Sequence, residues 1–145
     1  MNEKFFTPKE ANQILPQVKK IVEEILSKAN EARALMTTPD PLNERPSQLI
    51  QLEQRIKELM TQLEELGCYY KDWNFEIGLV DFPAIIHGQQ ALLCWRSDEL
   101  CVEWFHGYED GYSGRRKVTL SIITEFLIIT PSLIITLGDT TECSI

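Results

Sequence analysis

The chain has 145 residues, with 43% hydrophobic and 25% charged side chains. This is globular composition, not that of a disordered segment, and it is long enough to bury a core without staples. The formal net charge of −8 argues against a nucleic-acid partner, which needs a basic surface, and against electrostatic docking on anionic lipid.

No apolar leader with a cleavage site is evident at the N-terminus, so a cytoplasmic location is expected. The four cysteines, Cys68, Cys94, Cys101 and Cys143, include no Cys-x-x-Cys pair, and there are two histidines. A Cys/His zinc site is therefore poorly supported, and reduced thiols are expected.

Thr7-Pro8-Lys9-Glu10 is a helix start. Thr7 can cap, Pro8 suits the first helical position, and Glu10 can close a capping box, with Phe6 as the outer half of a hydrophobic staple. Apolar residues then recur every three or four positions from Ala11 through Val18 and Ile25 to Leu35 or Met36. This predicts a helix over residues 7–36, with Pro16 inside it. Pro39, Pro41 and Pro46 break the chain. Ser47 can cap a second helix over 47–66, whose stripe is Leu49, Leu52, Ile56, Leu59, Leu63 and Leu66. Gly67 suits its C-terminal cap. A short link between two striped helices implies an antiparallel, coiled-coil-like hairpin.

After Gly67 the texture becomes strand-like. Strands are expected over 68–71, 79–86, 90–96 and 101–106, with His87-Gly88 as a two-residue turn. The predicted fold class is α+β: a long helical hairpin followed by a small antiparallel β-meander, one domain over residues 1–117. With Asp98-Glu99 at the centre of the next turn, Trp95, Val102, Trp104 and His106 share one face. Cys94, Arg96, Cys101, Glu103 and Phe105 share the other. A one-residue slip exchanges the faces. Residues 118–145 form an Ile- and Thr-rich extension, expected as strands packed on the rest. A sticky tail or membrane association is the alternative for this segment, although Glu125 and Pro131 count against a membrane span.

Several segments, taken together, resemble a bacterial and archaeal family known as domain of unknown function 2203. They are Phe6 to Asn12, Ile14-Leu15-Pro16, Leu66-Gly67, Lys71-Asp72, Gly78 to Ala84, Leu93-Cys94-Trp95-Arg96, His106, and Gly111 to Arg115. The resemblance covers residues 5–117. The family has Trp directly before its His, whereas this chain reads Trp104-Phe105-His106, and residues 118–145 have no counterpart in it. The resemblance implies no activity.

No complete catalytic or metal motif is present, and nothing names a cofactor. The polar candidates for a ligand site are Asp81, Arg96, His106, Glu109 and Arg115, near strand ends and a glycine-rich loop. His106 with Glu109 and Asp110 is a candidate metal set, since imidazole and carboxylate suit several divalent ions. The plainer reading gives His106 a backbone hydrogen bond and pairs Asp81 with an arginine. Cys94 is the best thiol candidate because Arg96 lies two residues away. Trp73, Trp95 and Trp104 read as core. Two functions follow from this reading. The first is a noncatalytic interaction or regulatory module that self-associates through its hairpin or takes a partner helix. The second is a small-molecule or metal-binding protein, with an enzyme left open, using the polar cluster.

Overall fold

The computed structural model describes residues 3–119; the apolar stretch from residue 120 to the end lies outside them. Helix α1 spans Pro8–Thr37 and α2 spans Arg45–Leu66. The capping box is complete. Thr7 Oγ1 accepts from Glu10 N at 3.1 Å, and Glu10 Oε1 accepts from Thr7 N at 3.1 Å. The helix start is thus fixed by local chemistry. Helix α2 starts two residues before the expected Ser47 cap and takes Pro46 into its first turn. There Asp40 accepts from the amides of Glu44 and Arg45, supplying the acceptors that a helix start needs. Gly67 ends α2 in the left-handed region at φ 99°.

Five strands follow: β1 (Tyr69–Tyr70), β2 (Leu79–Ile86), β3 (Gln89–Arg96), β4 (Trp104–Gly107) and β5 (Arg116–Lys117). They form one antiparallel sheet in the order β1-β2-β3-β4-β5. The α+β class and the helical hairpin are as expected from the sequence. Strand β5 was not foreseen, and β4 begins at Trp104 rather than at residue 101. No helix among the described residues is long and apolar enough to cross a membrane.

Alternate residues of β2 define the layers. Val80, Phe82, Ala84 and Ile86 join Leu93, Trp95 and Phe105 in the core with Phe6, Ala11, Leu15, Val18, Val22 and Ile25 of the α1 region. Phe6 meets Phe82 edge to face, with ring centroids 5.4 Å apart. Asn12 ties the layers together: its side chain bonds both the amide and the carbonyl of Val102.

Gly78, just before β2, packs closely against α1. A β-carbon built there would lie 2.2 Å from Val22 Cγ1. Gly78 also exchanges bonds with Ser97, whose amide donates to the Gly78 carbonyl and whose hydroxyl accepts from its amide, so the backbone has little freedom to retreat. Gly78→Ala is expected to cost about 1–3 kcal/mol as an overpacking substitution. Urea unfolding would read this as a lower midpoint at unchanged slope.

The register of β3 on β4 differs from the expected one. Leu92 pairs with His106, Leu93 with Phe105, and Cys94 with Trp104. This is a slip of one residue, and it exchanges the faces. Trp104 and His106 lie with Cys94 on the face away from the hairpin, while Phe105 lies with Trp95 towards it. The cause is the connection after β3, which is not a two-residue turn. Glu99 N donates to Arg96 O at 2.8 Å, Trp95 Nε1 donates to Glu99 O at 2.9 Å, and Arg96 N donates to Glu99 Oε1 at 2.7 Å. Cys101 and Val102 then run outside the strand, with Val102 held by Asn12. Of the three tryptophans expected in the core, Trp95 is buried, Trp104 is half-buried and Trp73 is 68% exposed.

Candidate functional site

The slipped register assembles a polar cluster on the outer face of the sheet. Asp81 on β2 pairs directly with Cys94 on β3. His106 on β4 is the diagonal neighbour of Cys94, since it pairs with Leu92. All three are buried, with relative exposures of 5%, 1% and 4%. One ligand atom from each lies within 4.8 Å of the other two.

His106 is oriented from both ends. Its Nδ1 lies 2.8 Å from Gly107 O, so Nδ1 carries a proton and donates it there. Its Nε2 faces Asp81 Oδ1 at 3.4 Å. In the protein alone, Asp81 first and Cys94 next favour the charged imidazole and raise its pKa to about 10. Burial opposes them, and the Gly107 carbonyl adds to them.

The arginines serve a different part of the surface. Arg115 forms a two-pronged pair with Glu99, at 3.0 and 2.6 Å. Its guanidinium lies between the rings of Trp104 and Tyr112, 4.6 and 4.5 Å from their centroids. Arg96 pairs with Asp98, with Nη2 to Oδ2 at 2.9 Å, and bonds the Tyr112 hydroxyl. Both cations are therefore satisfied by the acids of the β3–β4 connection, and they buttress the loop that follows β4.

Of the residues singled out in the sequence, the fold brings Asp81 and His106 together. It gives Arg96 and Arg115 separate carboxylate partners. Glu109 is exposed in the turn after β4, and Asp110 folds back to accept from Gly107 N at 3.3 Å. Among the described residues, the donors that converge are Asp81, Cys94 and His106, not His106 with Glu109 and Asp110. Cys94 was noted only for its nearness to Arg96. The available signal was Asp81 itself, a carboxylate alternating out of phase with Val80, Phe82, Ala84 and Ile86.

Cys68 and Cys94 are free thiols. Burial pushes the Cys68 thiol up to about 12, so it is an inert core group at neutral pH.

A second feature lies at the far end of the hairpin. The last buried residue of α1 is Ala29 and the first of α2 is Leu59. Between them the helices pack on each other, and Arg33 of α1 also donates to the carbonyls of Asn74 and Phe75. A groove of about 650 Å³ opens there, lined by Lys28, Ala34, Leu35 and Leu52 among others. Met36, Leu42 and Ile50, which do not line it, are exposed in the same part of the chain. Arg55 spans the helices to Glu24, with Nη2 to Oε1 at 3.0 Å.

These features define a small α+β protein, a helical hairpin backing a five-stranded meander with a buried Asp-Cys-His cluster on the outer face of the sheet. The chain belongs to the family described as uncharacterized conserved protein (DUF2203), whose model matches residues 4–118. No curated protein and no solved structure matches it.

Proposed function

We propose that this protein is a noncatalytic interaction module that self-associates through the outer half of its helical hairpin. The observation that carries this reading is the stretch between Ala29 and Leu59, which holds no buried residue although each helix as a whole is amphipathic. A striped helix must bury its stripe against a further layer. Here Leu35, Leu49 and Leu52 are half-covered and Met36, Leu42 and Ile50 are open to solvent. Two such hairpins packed together make a four-helix bundle and cover these side chains. The occupant we commit to is a second copy. A helix from another protein is the competing partner.

The cytoplasmic location belongs with this reading. The free thiols of Cys68 and Cys94 favour it.

Sedimentation velocity across a concentration series tests the proposal. A dimer is expected. Burying an isoleucine side chain contributes about 1.5–3 kcal/mol, so Ile50→Glu should weaken association at least about tenfold while leaving the helical signal intact. A monomer at high micromolar concentration would overturn self-association.

The second reading, a small-molecule or metal-binding protein, has its own observation in the convergence of Asp81 and His106 with Cys94.

A further inference from the structure

We propose that Asp81, Cys94 and His106 form a binding site for one divalent transition-metal ion of the zinc type, held by a carboxylate oxygen, a thiolate sulfur and an imidazole nitrogen. This goes beyond self-association and does not depend on it.

The donor chemistry comes first. Thiolate and imidazole together select zinc-like and softer ions, whereas magnesium and calcium prefer all-oxygen sites. The three donors come from three adjacent strands of one sheet, so the backbone spacing that sets their separation is rigid.

The distances come second. A charged hydrogen bond between Nε2 and a carboxylate would close to about 2.7–2.9 Å. The observed separation is 3.4 Å, long for such a bond. Two donors at about 2.0–2.1 Å from a tetrahedral ion stand about 3.3 Å apart, which follows from the usual bond lengths. The Asp81–His106 distance is that of a ligand edge. Cys94 completes the group within 4.8 Å, leaving room for a longer metal–sulfur bond.

The orientation of His106 comes third. A metal-binding histidine ordinarily donates its other ring N–H to a carbonyl or carboxylate, which fixes the tautomer and aims the free nitrogen. His106 Nδ1 makes such a bond to Gly107 O, 2.8 Å away, and Nε2 faces Asp81, with Cys94 in the same group of donors. The Gly107 amide is held in turn by Asp110.

A thiol nucleophile with a His-Asp relay is the main competitor, and the geometry disfavours it. A relay divides the two ring nitrogens between nucleophile and carboxylate. Here Nε2 faces the carboxylate and Nδ1 is taken by the backbone carbonyl, so the ring nitrogens are not divided between a thiol and a carboxylate. A nucleophile must also be reached by its substrate, and Cys94 is 1% exposed.

Three protein ligands leave one coordination position of a tetrahedral ion for water or another small ligand. The cluster thus supplies three of the four ligands that a closed structural site has.

Titrating the full, metal-stripped and reduced chain with Co²⁺ tests the proposal, followed by competition with Zn²⁺. One equivalent of Co²⁺ should bind and give a thiolate-to-cobalt charge-transfer band that Zn²⁺ abolishes. Cys94→Ser should lose the band and bind at least about a hundredfold more weakly, beyond the roughly 10–100-fold that an outer-shell change typically costs. Cys68→Ser should keep both. Asp81→Asn and His106→Gln should each weaken binding by at least the same factor, and they carry the test if Cys94→Ser does not fold, as checked by circular dichroism. No band with the unaltered chain overturns the proposal. So does a band that survives all three site substitutions, which would mark an adventitious surface ion.

Discussion

Asp81→Ala is expected to cost about 3–5 kcal/mol of stability, the range for removing one partner of a buried charged pair. The side chains of Asp81 and His106 are 7% and 5% exposed. Without Asp81, His106 keeps its Nδ1 bond to Gly107 but loses the carboxylate that favours its charge, and its Nε2 is left buried without that partner. Asp81→Asn is the informative companion. It keeps the shape and an amide oxygen facing Nε2 and removes only the charge, so its loss should be smaller. Unfolding in urea near neutral pH measures both. A double-mutant cycle with His106→Ala should return a coupling that makes up most of the Asp81→Ala loss. A loss below about 1 kcal/mol would place the pair with exposed salt bridges and would mean that the outer face of the sheet is wetter than its burial indicates.

The same pair shows where sequence reasoning succeeds and where it stops. The capping box at Thr7 and Glu10, the leucine stripe from Leu49 to Leu66 and the glycine cap at Gly67 are written in neighbouring residues, and the structure carries all three. Strand β2 was legible for the same reason, as an apolar run bounded by Gly78 and His87-Gly88. The start of α2 was misplaced by two residues because Asp40, four to five residues back, supplies the cap. The register of β4 was wrong because nothing within Ser97 to Leu100 determines it. It is set by Trp95 and Arg96 reaching Glu99 and by Asn12, ninety residues away in sequence, holding Val102. Because side chains alternate, that single slip decides whether His106 shares a face with Trp95 or with Cys94. Asp81, His106 and Cys94 were each visible as unusual residues, but their convergence was not. It depends on a long-range contact between α1 and the connection before β4, which has no local signature.

That dependence makes Trp95 the residue whose loss should reach furthest. Its indole is 1% exposed among the core side chains, and its Nε1 donates to the Glu99 carbonyl. It sits on β3, the central strand, bonded to β2 on one side and β4 on the other. Because Trp95 is buried towards the hairpin, its neighbour Cys94 must point to the opposite face, towards Asp81 and His106. Trp95→Ala is expected to cost about 3–5 kcal/mol through the cavity it leaves. It should also loosen the β3–β4 connection, whose Glu99 holds Arg115 as well. Trp95→Phe separates the two effects. It retains most of the buried ring and leaves the Glu99 carbonyl without its donor, at a cost of about 1–3 kcal/mol. Urea unfolding gives the stability, and amide exchange along β4 reports the connection. In Trp95→Phe, faster exchange at Phe105 and His106 with the β2 amides still protected would locate the damage in the connection. Unchanged exchange in β4 would mean that Asn12 alone holds the register, and Asn12→Ala would then be the change that frees His106 from the cluster.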